Sequence, residues 1–256
     1  MDAKSISKNT SCLLERIKNN ISANNFNFNE WIFSNIKIPS NGYILELCCG
    51  TGEQTKYLAK KQNKELYILD ISKDALSASI NKCKKYGTKI NPIYGSLDNL
   101  QKVLPKNKKF SLCFCSYGLY YAKNTESTLN AVKSRLDKNG KITIVAPYGE
   151  NNKELFSFLQ NNGVKIDEKI LYSTKYMENE VIPYMIKNFK TISINTVENP
   201  VVWKSANEVM RYWENTTFYD ELKRKTISVA LDRFFKKNKV FINTKHIMCA
   251  EAGVLK

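Results

Sequence analysis

The chain has 256 residues, of which 43% are hydrophobic and 11% aromatic, and this composition supports a buried core and excludes intrinsic disorder. No run of ~18 uncharged apolar residues occurs, and the charged first twenty residues lack a signal-peptide core, which predicts neither a membrane span nor export. The net charge of +16 comes almost entirely from lysine; because arginine is scarce, we do not favour a nucleic-acid partner, although an anionic small substrate would be attracted.

The cysteines argue for a reducing compartment. They are odd in number and form no C-x-x-C pair, so we expect reduced thiols, a cytoplasmic location and no metal site. The seven positions are Cys12, Cys48, Cys49, Cys83, Cys113, Cys115 and Cys249.

The first predicted element is a helical flank within residues 1–40. Its apolar positions recur at helical spacing, at Leu13, Leu14, Ile17 and Ile21. Short β-rich runs then alternate with helical segments, which predicts βαβ units and a doubly wound parallel sheet. The five runs are Tyr43–Cys48, Glu65–Asp70, Lys89–Gly95, Phe110–Ser116 and Lys141–Pro147.

Later elements are less regular. We predict a helix over residues 176–189, a strand over 190–197, helices over 206–215 and 219–236, and a last strand over 240–250. Asn139-Gly140 and Asn162-Gly163 are each expected to end a helix with a positive φ angle. No linker or break in composition is visible, so we predict one domain, with a cofactor-binding core at 41–150 and substrate-side helices and last strands at 151–256.

Glycines cluster where the first strand leads into a helix. Gly50 and Gly52 follow Glu46 in the order strand, glycine-rich turn, helix. Glycine permits a tight turn and close approach to a ligand, and the carboxyl ends of parallel strands are where such sheets bind ligands. The loop is therefore the first candidate site.

A nicotinamide-binding loop is the main alternative, and two residues argue against it. The third glycine of G-x-G-x-x-G is replaced by Thr55. Glu46 would repel a pyrophosphate but attract an ammonium or sulfonium group. Asp70 ends the second strand and can accept hydrogen bonds from both ribose hydroxyls. Adenosine joined to methionine, with its sulfonium, ammonium and diol, fits these residues.

At this point the sequence resembles the class I S-adenosylmethionine-dependent methyltransferase family over residues 43–147. Glu46, Gly50 and Gly52 fall on its first motif, and Cys48 stands where the family often has glycine. The resemblance implies a Rossmann-like, doubly wound, seven-stranded, mostly parallel sheet with an antiparallel last strand, a helical N-terminal flank and a helical insertion before the last strands.

The resemblance also implies a set of cofactor contacts. Asp70 would bind the ribose, Ile71 the adenine face, and Ser96 and Leu97 the adenine edge, although Ser96 replaces the family's usual aspartate. The implied cofactor is S-adenosyl-L-methionine, with S-adenosyl-L-homocysteine as the product. The full predicted set is Glu46, Cys48, Gly50, Thr51, Gly52, Asp70, Ile71, Ser96, Leu97 and Ser116.

Methyl transfer from a sulfonium needs alignment more than acid–base chemistry, so no catalytic residue is assigned. Four tyrosines that follow the fourth and fifth strands are weak candidates for contacting the acceptor: Tyr117, Tyr120, Tyr121 and Tyr148. His246 is expected to be structural. A guess from composition places Trp203, Tyr212 and Trp213 over the acceptor.

The preferred function is methylation of a small, anionic acceptor on oxygen, for example a phosphorylated or nucleotide-activated intermediate of surface-polysaccharide biosynthesis. A tRNA or rRNA methyltransferase is the first alternative, although the chain lacks the Asn-Pro-Pro-aromatic sequence used for base amino groups. An NAD-dependent oxidoreductase and a non-catalytic binding protein of the same fold are the others.

Overall fold

The computed structural model describes residues 11, 12, 14, 15, 26–61 and 65–255. The predicted apolar positions Leu13, Ile17 and Ile21 lie outside these residues. Helix α1 (Phe28–Asn35) belongs to the predicted helical flank and buries Ile32. Its Phe33 ring stacks on Phe114 of the sheet at a centroid distance of 5.8 Å.

Seven strands form one sheet in the part of the chain that the structure describes. They are β1 (Tyr43–Leu47), β2 (Glu65–Asp70), β3 (Lys89–Tyr94), β4 (Phe110–Ser116), β5 (Leu136–Pro147), β6 (Phe189–Trp203) and β7 (Phe241–Leu255). The strand order is β3-β2-β1-β4-β5-β7-β6.

Helices connect these strands. After α1 they are α2 (Thr55–Lys61), α3 (Lys73–Cys83), α4 (Leu100–Val103), α5 (Thr125–Lys133), α6 (Lys153–Asn161), α7 (Glu168–Tyr176), α8 (Ile182–Asn188), α9 (Ala206–Glu214) and α10 (Arg224–Lys237). A π-helical turn, Met177–Val181, joins α7 to α8. The predicted helix over 176–189 therefore corresponds to α8 and this turn, and it continues back into α7.

The predicted fold class is confirmed. β1 pairs in parallel with both β2 and β4, β2 with β3, and β4 with β5, while the last strand runs antiparallel. The chain order reverses at β1, so the carboxyl ends of β1, β2 and β4 share the edge at which open α/β sheets bind ligands. β1 and β4 are apolar along nearly their whole length because helices cover both faces of the sheet.

The predicted turn at Asn139-Gly140 is wrong. Helix α5 ends at Lys133 and residues 136–140 already belong to β5. The register between β4 and β5 shifts between Phe110 and Leu112, and a Cβ on Gly140 would lie 2.6 Å from the Phe110 carbonyl oxygen. Glycine is needed there for close strand approach. At Gly163, after α6, the predicted positive φ is confirmed, at 82°.

The chain divides into two compact units. The sheet unit comprises Phe28–Pro147, Tyr176–Thr196 and the described part of 248–256; the aromatic unit comprises Tyr148–Lys175, Val197–Ile247 and the described part of 1–27. That the whole chain acts as one domain stays a prediction.

The core of the aromatic unit contradicts the guess that Trp203, Tyr212 and Trp213 lie over the acceptor. Trp203, Tyr212 and Trp213 are all at least 95% buried, packed with Leu155 and Ile227 in one apolar cluster. The Trp203 and Tyr212 rings are 5.0 Å apart. These side chains hold this unit together and have no free face for a ligand.

Candidate functional site

The loop after β1 contains three residues with left-handed backbone angles. Cys48, Gly50 and Gly52 have φ angles of 55°, 53° and 80°. A Cβ on Gly52 would also lie 2.7 Å from the Cα of Ser79 on α3, so only glycine lets the loop pass this close to the helix. The close packing that the nicotinamide motif assigns to a third glycine is thus provided here by Gly52.

Asp70 fastens this loop to the end of β2. One carboxylate oxygen accepts a hydrogen bond from the Gly50 N–H at 2.9 Å, and the other accepts one from the Ser72 N–H, also at 2.9 Å. Each oxygen has a second lone-pair position. The carboxylate can therefore accept two more hydrogen bonds without releasing the loop.

Glu46 is a carboxyl group buried inside the sheet, with 2% of its surface exposed. Burial, opposed by a hydrogen bond from Thr55 and reinforced by the nearby Asp70 carboxylate, raises the pKa of Glu46 to about 8. An isolated buried carboxylate is costly in a low-dielectric interior. A positive charge beside the group would reverse that cost.

Thr55 is a site residue that sequence reasoning missed. It is fully buried at the start of α2, where its hydroxyl accepts a hydrogen bond from the Ser79 hydroxyl at 2.9 Å and bonds the Glu46 carboxyl. The sequence signal was present, because Thr55 stands at the third position of the glycine pattern. It was interpreted only as a missing glycine.

Three buried polar atoms around this loop have no hydrogen-bond partner among the described residues. They are one carboxyl oxygen of Glu46 and the hydroxyl oxygens of Thr51 and Ser116. Ser116 is the last residue of β4, beside β1. Buried polar atoms in native proteins are almost always paired, with protein groups, ordered water or a ligand, so these three atoms can form hydrogen bonds with a polar ligand.

Cys48 and Gly118 form a close contact at the ends of β1 and β4. A Cβ on Gly118 would lie 2.3 Å from the Cβ of Cys48. Hydrogen bonding to Cys115, together with burial, raises the pKa of the Cys48 thiol well above its usual range. Cys48 thus has a left-handed backbone at a position where the methyltransferase family that the sequence resembles often has glycine. Gly118 follows β4 at a position where a larger side chain would clash with Cys48.

The remaining predicted cofactor residues follow β2 and β3. Ile71 is exposed over 49% of its surface, and Leu97 is buried. The Ser96 hydroxyl caps the short helical turn that contains Leu97 by accepting the Asp98 N–H at 3.2 Å. Ser96 thus already has a structural hydrogen bond.

The tyrosines after β4 form an aromatic group. The Tyr120 ring lies 4.8 Å from Tyr121 and 6.0 Å from Tyr176, while Tyr117 packs edge-on against Phe28 at 5.6 Å. The Tyr176 hydroxyl is fixed by Thr125 at 3.0 Å. Tyr121 is the exposed member, at 54%, and a role for any of them in catalysis stays a prediction.

Tyr148 belongs to the aromatic unit. Its ring packs edge-on against His246 at 5.5 Å, and its N–H donates to the His246 carbonyl oxygen at 3.2 Å. The His246 Nδ1 lies 3.9 Å from a Glu198 carboxylate oxygen. Among the described residues, no group of His, Cys, Asp and Glu is arranged to hold a metal ion, and none of the helices is long and apolar enough to cross a bilayer.

A parallel sheet in this order, with a glycine loop after β1 and carboxylates on β1 and β2, is typical of Rossmann-like folds. Comparison with known proteins makes the class specific. Residues 44–140 match the family model described as a methyltransferase domain. Over these residues the chain is similar to the class I S-adenosylmethionine-dependent methyltransferases.

One curated relative shows the same similarity. The chain is 32% identical over 120 residues to the ubiquinone/menaquinone biosynthesis C-methyltransferase UbiE of Wigglesworthia glossinidia brevipalpis, a match that covers 46% of this chain and 46% of that protein. The chain thus spans less than half the length of this curated relative.

Two crystal structures share the fold. The YcgJ protein of Bacillus subtilis has 10% identity and a TM-score of 0.58, covering 89% of this chain and 97% of its own. A SAM-dependent methyltransferase of Thiobacillus denitrificans in complex with S-adenosyl-L-homocysteine has 13% identity and a TM-score of 0.51, covering 92% and 97%.

Proposed function

We propose that this protein transfers a methyl group from S-adenosylmethionine to a small, anionic acceptor. The observation that carries the proposal is the unpaired set of buried polar atoms at Glu46, Thr51 and Ser116. Two are hydroxyls that can donate or accept, and one belongs to a carboxyl group that a cation would ionise. An amino-acid moiety with an ammonium and a carboxylate supplies both kinds of partner.

The fit extends to the other end of the nucleoside. Asp70 keeps two acceptor positions free while it holds the loop, which suits a ribose diol. Ile71, half exposed directly after Asp70, and the buried Leu97 offer apolar contacts to a flat base. Cys48, Gly50 and Gly52 would let the backbone approach the ligand.

Bound S-adenosylmethionine supplies an electrophilic methyl group on a good leaving group. The chain's own contribution is binding and orientation: Glu46 neutralises positive charge, and Asp70 fixes the sugar. Glu46 is assigned to the positive charge of the cofactor, and we assign no catalytic base among the described site residues, which suits an acceptor that is already nucleophilic or loses its proton easily.

The acceptor part of the proposal rests on charge. The net charge of +16 favours an anion, and an oxygen nucleophile on a phosphorylated or nucleotide-activated sugar intermediate meets that requirement.

Calorimetric titration tests the cofactor assignment. We expect S-adenosylmethionine and S-adenosylhomocysteine to bind and NAD not to bind. Asp70→Asn and Glu46→Gln should each weaken cofactor binding by about 1–3 kcal/mol through lost charge-assisted hydrogen bonds. Glu126→Gln is the matched control, since this exposed residue on α5 pairs only with Lys187 at 3.3 Å among described partners. Binding of NAD alone would refute the proposal.

Methyl transfer itself is tested with labelled cofactor and fractionated metabolites. Label recovered in small anionic compounds supports the acceptor class, whereas label recovered only in RNA would overturn it.

A further inference from the structure

A cavity of about 750 Å³ opens on the surface of the aromatic unit and has no part in the methyl-transfer proposal. Its lining is strongly basic. The residues that matter for its chemistry are Lys204, Lys236, Lys239, Ser205, Asp232 and Phe235. Three lysines and one aspartate therefore line the same open space.

The lysines of this cavity are not neutralised by the protein. Among the described residues, none of the three ammonium groups has an ion-pair or hydrogen-bond partner, and Asp232 lies within 4.0 Å of none of them. Like charges held around one cavity repel each other and raise the local concentration of anions.

Lys204 lies at the N-terminus of a helix, where the helix dipole is positive. It comes directly before Ser205, the N-cap of α9, so its charge adds to the positive end of that helix. Glu208, the nearest acid on α9, accepts hydrogen bonds from the Lys204 backbone N–H at 2.7 Å and does not line the cavity. Glu208 offsets part of this positive charge, and the remaining charge attracts an anion.

We propose that this cavity binds an organic phosphate. Lysine ammonium groups bind phosphate oxygens as point charges, and three of them match a group that carries about two negative charges. The half-buried ring of Phe235 provides an apolar face for the organic part of the ligand.

Isothermal titration of the full chain with phenyl phosphate and, separately, with inorganic pyrophosphate tests this site. The Lys204→Gln/Lys236→Gln/Lys239→Gln variant should lose at least about tenfold in affinity for both probes. The matched control is Lys165→Gln/Lys169→Gln/Lys225→Gln, which removes the same charge from exposed positions of the same unit outside the cavity and should change affinity less than about twofold.

Two single variants refine the assignment. Asp232→Asn should tighten both probes, because it removes the one opposing carboxylate of the lining. Phe235→Ala should weaken phenyl phosphate but leave pyrophosphate unchanged. Equal losses in the two triple variants, or no heat from either probe at millimolar concentration with the unmodified protein, would overturn the proposal. Thermal unfolding of each variant verifies that it is folded.

Discussion

Each compact unit contains a cluster of buried polar side chains, and the two clusters differ in hydrogen bonding. In the aromatic unit, Asn152 accepts from Asn243 at 3.0 Å and from the buried ammonium of Lys245, which also bonds the Tyr212 hydroxyl at 2.5 Å. Asn243 in turn accepts the Leu155 N–H of α6 at 3.2 Å. Every side chain of this cluster has a partner.

In the sheet unit, the cluster around the loop after β1 is incomplete. Glu46, Thr51 and Ser116 each keep a buried polar atom without a partner among described residues. A satisfied network makes a core rigid, whereas an unsatisfied one costs folding free energy that a ligand can return. We therefore interpret the first cluster as a structural network and propose the second as a binding site, and each interpretation can be tested by stability and by affinity.

The largest expected effect is on the satisfied cluster. Asn152→Ala removes the acceptor of the Asn243 amide and one of the two acceptors of Lys245, and it places alanine at a φ of 66°, so we expect a loss of about 3–5 kcal/mol in the free energy of unfolding. Urea denaturation measures it. Asn152→Gly removes the backbone strain and isolates the hydrogen-bond share, and Asn161→Ala, at the exposed end of α6, should cost less than about 1 kcal/mol. Cofactor affinity of the folded variant should not change.

The next effect is a pH dependence of stability from Glu46. Its pKa is raised from 4.5 to about 8, so the folded protein binds more protons than the unfolded chain between these values. The contribution is fully present below pH ~4.5 and is lost as pH rises through ~8, at up to ~1.4 kcal/mol per pH unit. Between pH 5.5 and 8 the unmodified protein should lose about 2–3 kcal/mol more unfolding free energy than Glu46→Gln. Parallel curves for the two proteins would show that Glu46 is not buried as described.

The sequence allowed several strands to be predicted, but it did not reveal contacts between separate elements. The continuous apolar runs of β1 and β4, and the placement of Asp70 at the end of β2, were predictable because burial on both faces and strand length leave a local signature. The strand conformation of residues 136–140 could not be predicted. These residues belong to β5 because of how they pair with β4, where the register shifts next to Phe110.

The same contrast between local sequence signals and contacts between elements holds for the candidate site. Glu46, Gly50 and Asp70 stand in a fixed order along the chain, so their proximity follows from the βαβ pattern. The bond between Thr55 and Ser79 and the contact between Cys48 and Gly118 join residues from separate elements. Nothing local distinguishes Gly118 from any other loop glycine. Which polar atoms remain unpaired depends on all surrounding side chains at once.

A smaller effect tests the contact between β1 and β4. Gly118→Ala places a Cβ 2.3 Å from that of Cys48 and should cost about 2 kcal/mol of stability. Cys48→Gly removes both the obstructing side chain and a non-glycine residue at a φ of 55°. In the double variant most of the loss should be recovered, and a thermodynamic cycle of unfolding free energies measures the coupling. Additive effects would mean that the two residues do not touch.

The smallest effect concerns Ile71, and it separates affinity from stability. Because 49% of its surface is exposed, Ile71→Ser should change the free energy of unfolding by less than about 0.5 kcal/mol. If an adenine ring covers that surface, the same substitution should weaken S-adenosylmethionine binding by about 1 kcal/mol, or roughly fivefold. Ile194→Ser on β6, with 46% of its residue surface exposed, is the matched control and should leave affinity unchanged. Because neither isoleucine is needed for folding, a loss of affinity confined to Ile71 can come only from contact with the ligand, and equal affinities would remove Ile71 from the binding site.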